Sequence, residues 1–513
     1  MNPSASPSSR SAGFPPDRAP VRTRSAWRLW LYGLGMLIPA LGFAHRYPLR
    51  GNSDRLVDIG KLAQYGVTEF AGYVAGLTLM FALYILALRE SRRLTPPRAL
   101  PAIFACGTAL AVAMGWMYPV NAIDLFIYAV RSRLLTTYGV NPLTARPVNF
   151  ADDPLMRFAS QEWGTHVSPY GPLWNLVAAP VTALAGDRLG PALAGFKLLA
   201  IVALLLGGWL IVRTLAVIDP DAAATGALFY LWNPLVLWEG IGNGHNDIVM
   251  VVPLLAALLA WARRRDGWVI PLLIVATLIK YVTMLLLPLA AIALWRRTDT
   301  WAERGRVALA SVGFSLLAIA VAFFPFYDLG AVLESIAAQG DIFLTSPAAM
   351  AIGLLRTDYP VIEIKQWARA IGYSLLLAVL VWQMLVLWRR PERLPRAAFE
   401  TLFVFLLVAT WNFRVWYLIW PVALAALIPW GWPAWRTIAW TAGGLAGYAL
   451  FIWGWEWWGA DFYAVQNVAV PLMTGPALLL TLLAIGRATG RTPSAGARAE
   501  PRTAPPAAAP AER

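Results

Sequence analysis

Across 513 residues the chain carries one cysteine, three histidines and a charged fraction of only 14%. Each shortage excludes something. With Cys106 alone no internal disulfide can form, and its place in an apolar run leaves the redox compartment unreadable. No Walker loop, no GxGxxG after a strand and no zinc-ligand spacing occurs, which argues against soluble nucleotide binding. No cleavable leader pattern opens the chain, because the first apolar run, 26–45, is followed by a polar turn without a small-residue cleavage site. Acidic residues are also few, 28 against 42 Lys and Arg, for a net charge of +14. Much of that excess is Arg in the two tails and in short loops, where it orients a chain in a membrane, so no nucleic acid is expected as a partner.

What is abundant is apolar. Hydrophobic residues make up 59% of the chain, and many runs are long enough to cross a hydrocarbon core of roughly 30 Å. The 26 tryptophans fit the same reading, since Trp favours the membrane–water boundary. The expected fold is all-α: a polytopic transmembrane helical protein of about 12–14 spans in the lipid bilayer, with interfacial helices in its extracytoplasmic loops. Residues 1–25 and 487–513, rich in Pro, Ser, Ala and Arg, are expected to be disordered cytoplasmic tails around a membrane domain at 26–486. Arg preferred over Lys, with abundant Ala, is the usage of a GC-rich bacterial genome, which points to a bacterial plasma membrane.

Arginine sets sidedness. Arg10, Arg18, Arg22, Arg24 and Arg28 precede the first span, and "RESRRLTPPR" (89–98), "ARRRD" (262–266) and "WRRPERLPR" (388–396) read as cytoplasmic returns. The spans are then 26–45, 66–88, 101–118, 191–214, 222–238, 246–262, 306–325, 371–388, 398–412, 415–431, 435–453 and 468–486, with 172–186 a short helix that does not cross. Residues 267–295 carry Arg on both flanks and as one helix would be about 43 Å long. Two short helices turning near Lys280 suit the charges better. Under this topology 119–171, 239–247, Lys280, 326–370, 411–414 and 455–467 share the extracytoplasmic face.

Chemistry-bearing residues collect there. In "NAIDLFIYAVRSRLLTTYGVNPL" (121–143), Asp124, Tyr128, Arg131 and Ser132 or Leu135 recur at helical spacing, predicting a helix along the membrane surface. A carboxylate at a cavity mouth can take a proton from a hydroxyl, and neighbouring Arg can hold phosphate oxygens; a solvated interfacial helix whose Asp marks its start fits the spacing too. Asp152 and Asp153 in "ADDPLMRF" can bind a divalent cation or start a helix, and the helix start is preferred. "SPYGPLW" (168–174) reads as a shaped turn able to line a cavity. "LWNPLVLWEGIGNGHNDIVM" (231–250) reads as the outer turn of a hairpin, bent at Asn233-Pro234 and loosened by Gly240, Gly242 and Gly244. Its Glu239, His245 and Asp247 can bind sugar hydroxyls, a metal or a nearby base, or be satisfied polar contacts. Lys280, in apolar flanks, either snorkels to an interface or meets a phosphate. Arg414 interrupts two spans among Trp411, Trp416, Tyr417 and Trp420, which are belt aromatics or a sugar-stacking surface. "FIWGWEWWG" (451–459) reads as belt alone.

In this order these pieces resemble a C-type (GT-C) integral-membrane glycosyltransferase, close to bacterial polyprenol-phosphate-mannose-dependent mannosyltransferases and glycosyltransferase family 87. The resemblance rests on Asp124, Tyr128 and Arg133, Asn141-Pro142, Tyr170-Gly171-Pro172-Leu173, Asn233-Pro234-Leu235, Glu239, Gly244-His245 with Asp247, Lys280, Trp416-Tyr417 and Trp420-Pro421, over roughly 110–425. It implies transfer of a hexose, mannose foremost, from a polyprenyl-phosphate sugar donor to a glycan or glycolipid acceptor outside the cytoplasm. Asp124 would be the general base of an inverting attack, and Arg133, Lys280 and Arg414 would hold the donor phosphate. Tyr128, Tyr170, Glu239, His245 and Asp247 would contact sugar or acceptor. Metal dependence varies among such enzymes, so a divalent metal stays open. The rival classes are a secondary transporter or flippase, which places ionisable groups at mid-bilayer between repeated halves, and a non-catalytic scaffold, in which Asp124 would lie far from Glu239 and Lys280.

Overall fold

A computed structural model describes residues 25–50, 66–326, 342–457 and 459–489 together with Gly330. Most of each expected tail, residues 1–24 and 490–513, lies outside the described residues, whereas 487–489 continue the last helix. Among the described residues there is no strand, only two isolated bridges. The protein is an all-α polytopic membrane protein.

The helices are α1 (Trp27–Arg46), α2 (Gly66–Ser91), α3 (Pro96–Gly115), α4 (Asp124–Thr136), α5 (Gln161–Gly164), α6 (Pro172–Ala185), α7 (Leu189–Ile218), α8 (Ala223–Leu231) and α9 (Asp247–Ala262). They continue as α10 (Val269–Ile279), α11 (Leu287–Arg297), α12 (Trp301–Phe323), α13 (Pro347–Leu355), α14 (Val361–Arg389), α15 (Leu394–Val404), α16 (Ile419–Ala425), α17 (Gly431–Ile452) and α18 (Phe462–Thr489). Six of them (α2, α3, α7, α12, α14 and α18) are long and apolar enough to cross a membrane. Their outer faces are apolar, as the bilayer requires: Leu309 of α12 and Leu377 of α14 are 76% and 60% exposed.

Most other expected spans are present as shorter, interrupted helices, and the interruptions are the fold's main lesson. Residues 222–238 form α8 and then, after Asn233-Pro234, a π turn Val236–Gly242 that meets α9 at 114°. Asn233 Oδ1 accepts from the amides of Leu235 and Val236, tying off the bend. The 267–295 stretch breaks where its charges demanded: α10 ends at Ile279, Lys280 is extended, and a 3-10 turn (Tyr281–Leu286) leads into α11. Residues 398–431 become α15, a π turn Phe405–Ala409, an irregular stretch at 410–414, a 3-10 turn Val415–Leu418 and α16. Non-helical backbone at membrane depth persists only where protein buries it or a cavity needs it.

Helix α4 is present as the spacing predicts, over Asp124–Thr136. It is covered by other helices: Leu125 through Leu134 are buried where it packs on α6 and α7, with the Ser132 hydroxyl 2.7 Å from that of Thr182. Its first turn is seated by the "SPYGP" segment, whose Gly171 N–H donates to Ile279 O at 3.1 Å. There is no room for a side chain here, since a Cβ on Gly171 would lie 2.0 Å from Leu278 O. Gly171→Ala should therefore destabilise the protein by about 1–3 kcal/mol, read as a lower thermal unfolding midpoint in detergent. Gly190→Ala on α7, where nothing lies within 4 Å, is the control expected to leave the midpoint unchanged.

Candidate active site

The helix breaks at Lys280 and at 405–416 and the start of α4 surround one cavity of about 510 Å³. Asp124 is the only acidic residue on its wall among the described residues, and Arg131, Lys280 and Arg414 are its cations. Asp124 opens α4 and is 17% exposed. The Tyr170 hydroxyl donates to its Oδ1 at 2.8 Å, with the Tyr128 hydroxyl at 3.5 Å, so that oxygen is held on one side. Burial, reinforced by the Asp124 carboxylate, pushes the Tyr170 hydroxyl well up, so it remains a proton donor in this contact.

Arg133, expected among the donor phosphate ligands, is not on the wall of this cavity. Its guanidinium meets Asp153 at 2.7 Å, Asp187 at 2.8 Å and Gly186 O at 2.8 Å, and its side chain is 3% exposed. The reason is angular. At about 100° per residue, nine residues from Asp124 land half a turn away, on the opposite face of α4. Seven residues bring Arg131 back to the Asp124 face, as the helical spacing of Asp124, Tyr128 and Arg131 in the sequence indicated. Arg131 donates to the carbonyls of Trp163 and His166 at 3.1 and 3.2 Å, pinning that wall of the cavity. Burial pulls its guanidinium down to about 10, offset in part by Tyr170 and Asp124, so it stays charged at neutral pH.

Glu239, His245 and Asp247, expected at sugar or acceptor, are all wholly buried and are not on the cavity wall. They form a layer behind it. His245 Nδ1 is 3.7 Å from Asp124 Oδ2, its Nε2 is 3.3 Å from Glu239 Oε2, and its ring stacks on Trp416 at 3.8 Å. Asn243 donates to Glu239 Oε2 at 2.9 Å and also to Asn121, an amide on the cavity wall. Asp247 Oδ1 accepts from Lys280 Nζ at 2.7 Å and from Trp420 Nε1 at 2.6 Å. Lys280 thus stands at a helix break with its charge aimed and partly neutralised, 4.6 Å from the Tyr417 ring centre. Arg414, 8% exposed, sits 5.7 Å from the Trp416 ring centre on another wall. Asn121 and Asn243 carry no charge, and no spacing in the sequence singles them out.

The remaining wall is aromatic and aliphatic. Phe343 stacks on Trp411 at 5.7 Å, Tyr373 meets Trp411 edge-on at 5.2 Å, and Phe451, Trp455 and Phe462 extend the surface. Trp455 and Phe451 belong to the stretch read as belt alone, and the structure puts them on the cavity. Among the described residues no group of three or more His, Cys, Asp or Glu is placed to hold a metal ion. The arrangement suits a proton acceptor beside a polyanion site, with an apolar flank. The buried polar groups pair with one another, as their removal from water requires.

Parts of the chain are similar in sequence to known proteins. Residues 36–296, which contain Asp124 through Lys280, match the family described as "Alpha-(1->6)-mannopyranosyltransferase, N-terminal domain". The chain is 28% identical over 331 residues to "Alpha-(1->6)-mannopyranosyltransferase A" of Mycobacterium tuberculosis, covering 60% of this chain and 61% of that protein. It is 29% identical over 185 residues to "Alpha-(1->6)-mannopyranosyltransferase A" of Corynebacterium glutamicum, covering 35% and 36%. With "Alpha-(1->6)-mannopyranosyltransferase B" of the same organism it shares 24% over 153 residues, covering 29% and 25%. In each case the alignment spans less than two thirds of the relative's own length. With residues 36–296 of its 513 inside the family's bounds, the chain belongs to the alpha-(1->6)-mannopyranosyltransferase family.

Proposed function

We propose that the protein transfers mannose from a polyprenyl-phosphate donor to a hydroxyl of a glycan or glycolipid acceptor, at the outer face of a bacterial plasma membrane, with Asp124 as general base. The observation that carries this reading is a single carboxylate on a wall shared with three cations. A lone carboxylate supplies one base, which is what single displacement needs. Phosphate departure needs fixed positive charge, and Lys280 and Arg414 supply it without binding each other. The aromatic wall suits a prenyl chain and sugar faces.

In the reaction the acceptor O–H gives its proton to Asp124 Oδ2 as its oxygen bonds to the anomeric carbon. The anomeric C–O bond to phosphate breaks, and the phosphate leaves with that electron pair toward Lys280 and Arg414. Direct attack inverts the anomeric carbon, so an alpha linkage, as in the names of the relatives, calls for a beta-linked donor. Tyr170 keeps the carboxylate turned to the cavity. Behind it, His245 and Glu239 fill the space with polar groups, and Asp247 aims Lys280.

Membranes bearing wild-type protein should transfer radiolabelled mannose from polyprenyl-phosphate mannose, and Asp124→Asn should reduce transfer at least ~100-fold at equal protein level. Transfer that survives the substitution refutes Asp124 as the base. Cations of the two kinds separate as well. Lys280→Met should lower kcat/KM for the donor on the order of 100-fold with folded protein retained. Arg133→Met should instead lower the folded yield and leave the donor KM within about twofold. A large donor KM effect in folded Arg133→Met returns that residue to the phosphate site.

A further inference from the structure

Helix α7 is almost wholly apolar, yet Lys197 lies buried inside it. Among the described residues no carboxylate pairs with it. Its Nζ donates to two backbone carbonyls, Ile241 O at 3.2 Å and Gly242 O. These are the last two carbonyls of the π turn Val236–Gly242. An unbroken turn would give Ile241 O the amide of Asn246, five residues on. The chain has turned away by then: Gly244 takes φ +72°, and the Asn246 amide faces the Tyr128 hydroxyl at 3.5 Å. Two carbonyls are therefore orphaned in an apolar interior, at the negative end of a helical segment, where a cation is favoured.

We propose that Lys197 is a positioning residue, its buried ammonium clamping the end of this turn and so fixing the layer behind Asp124 and Lys280. The turn carries Glu239 and its continuation carries His245 and Asp247, linked by the His245 N–H to Glu239 O at 3.2 Å and the Asn243 N–H to Trp238 O at 2.8 Å. Gly244 rests against Leu125, the neighbour of Asp124; a Cβ there would come within 2.6 Å of the Leu125 side chain. Any slip of the turn moves His245 relative to Asp124 and Asp247 relative to Lys280. Lys197 lies off the cavity wall, so it meets no substrate. Its expected signature is a loss in turnover without a loss in donor binding.

The role of Lys197 in turnover rests on the transferase reading; the clamp itself does not. The test compares wild type with Lys197→Met, which keeps length without donors, and Lys197→Arg, which keeps a cation. Hydrogen exchange in detergent at residues 236–247 is expected to rise in Lys197→Met and stay near wild type in Lys197→Arg. With polyprenyl-phosphate mannose, kcat should fall about 10- to 100-fold in Lys197→Met with donor KM nearly unchanged, and Lys197→Arg should restore most of it. If Lys197→Met does not fold, the same exchange and kcat readings are taken on Lys197→Gln, which keeps a shorter donor, and the same losses are expected. Unchanged exchange overturns the clamp, and faster exchange with wild-type kcat overturns the positioning role. A wild-type protein inactive with every donor counts against the transferase reading, while exchange still decides the clamp.

Discussion

Within a bilayer an interrupted helix has no water to satisfy its freed carbonyls and amides, so each break must be closed by the protein itself. Three such closures organise this molecule. At the end of α10, Ile279 O receives the Gly171 amide from the segment that also brings Tyr170 to Asp124. At the end of the π turn after α8, Ile241 O and Gly242 O receive Lys197. At 410–414, the hydroxyls of Ser346 and Thr345 bond Trp411 O and Phe413 O, and Leu344 exchanges backbone bonds with both residues. Each closure delivers a cavity group or its support: Lys280 at the first, Glu239 and His245 at the second, Arg414 at the third.

The electrostatics follow from these closures. Isolated charges at this depth are costly, and the site spreads its charges into two layers. In front stand Asp124, Arg131, Lys280 and Arg414, each partly open to the cavity or anchored by one partner. Behind them Glu239, His245 and Asp247 take up the intervening space, so the front layer is held without being surrounded by water. Arg133 and Asp153 belong to neither layer; they weld α4 to the loop around it from the far side.

Much of the fold was legible because apolar runs and Arg placement report on the bilayer directly. The short helix expected at 172–186 appears as α6, and the Arg-flanked 267–295 stretch is indeed broken at Lys280. Depth was the harder property. Sequence marks Glu239, His245 and Asp247 as polar and adjacent, but which of two stacked layers they join depends on the 114° bend and on Trp416 covering His245. The resemblance nominated Arg133, whereas the helical spacing of Asp124, Tyr128 and Arg131 already set Arg131 on the Asp124 face. Aromatic residues such as Trp411 and Trp455 look the same in sequence whether they face lipid headgroups or a cavity, and only the fold over 342–462 separates the two uses.

On the proposed mechanism, mannose moves by a single displacement at the anomeric carbon beside Asp124. Nuclear magnetic resonance of the anomeric centre in donor and product tests it most directly. Inversion, from a beta-linked donor to an alpha-linked product, is the predicted result. Retention would mean a covalent or otherwise two-step path, and would contradict the role given to Asp124.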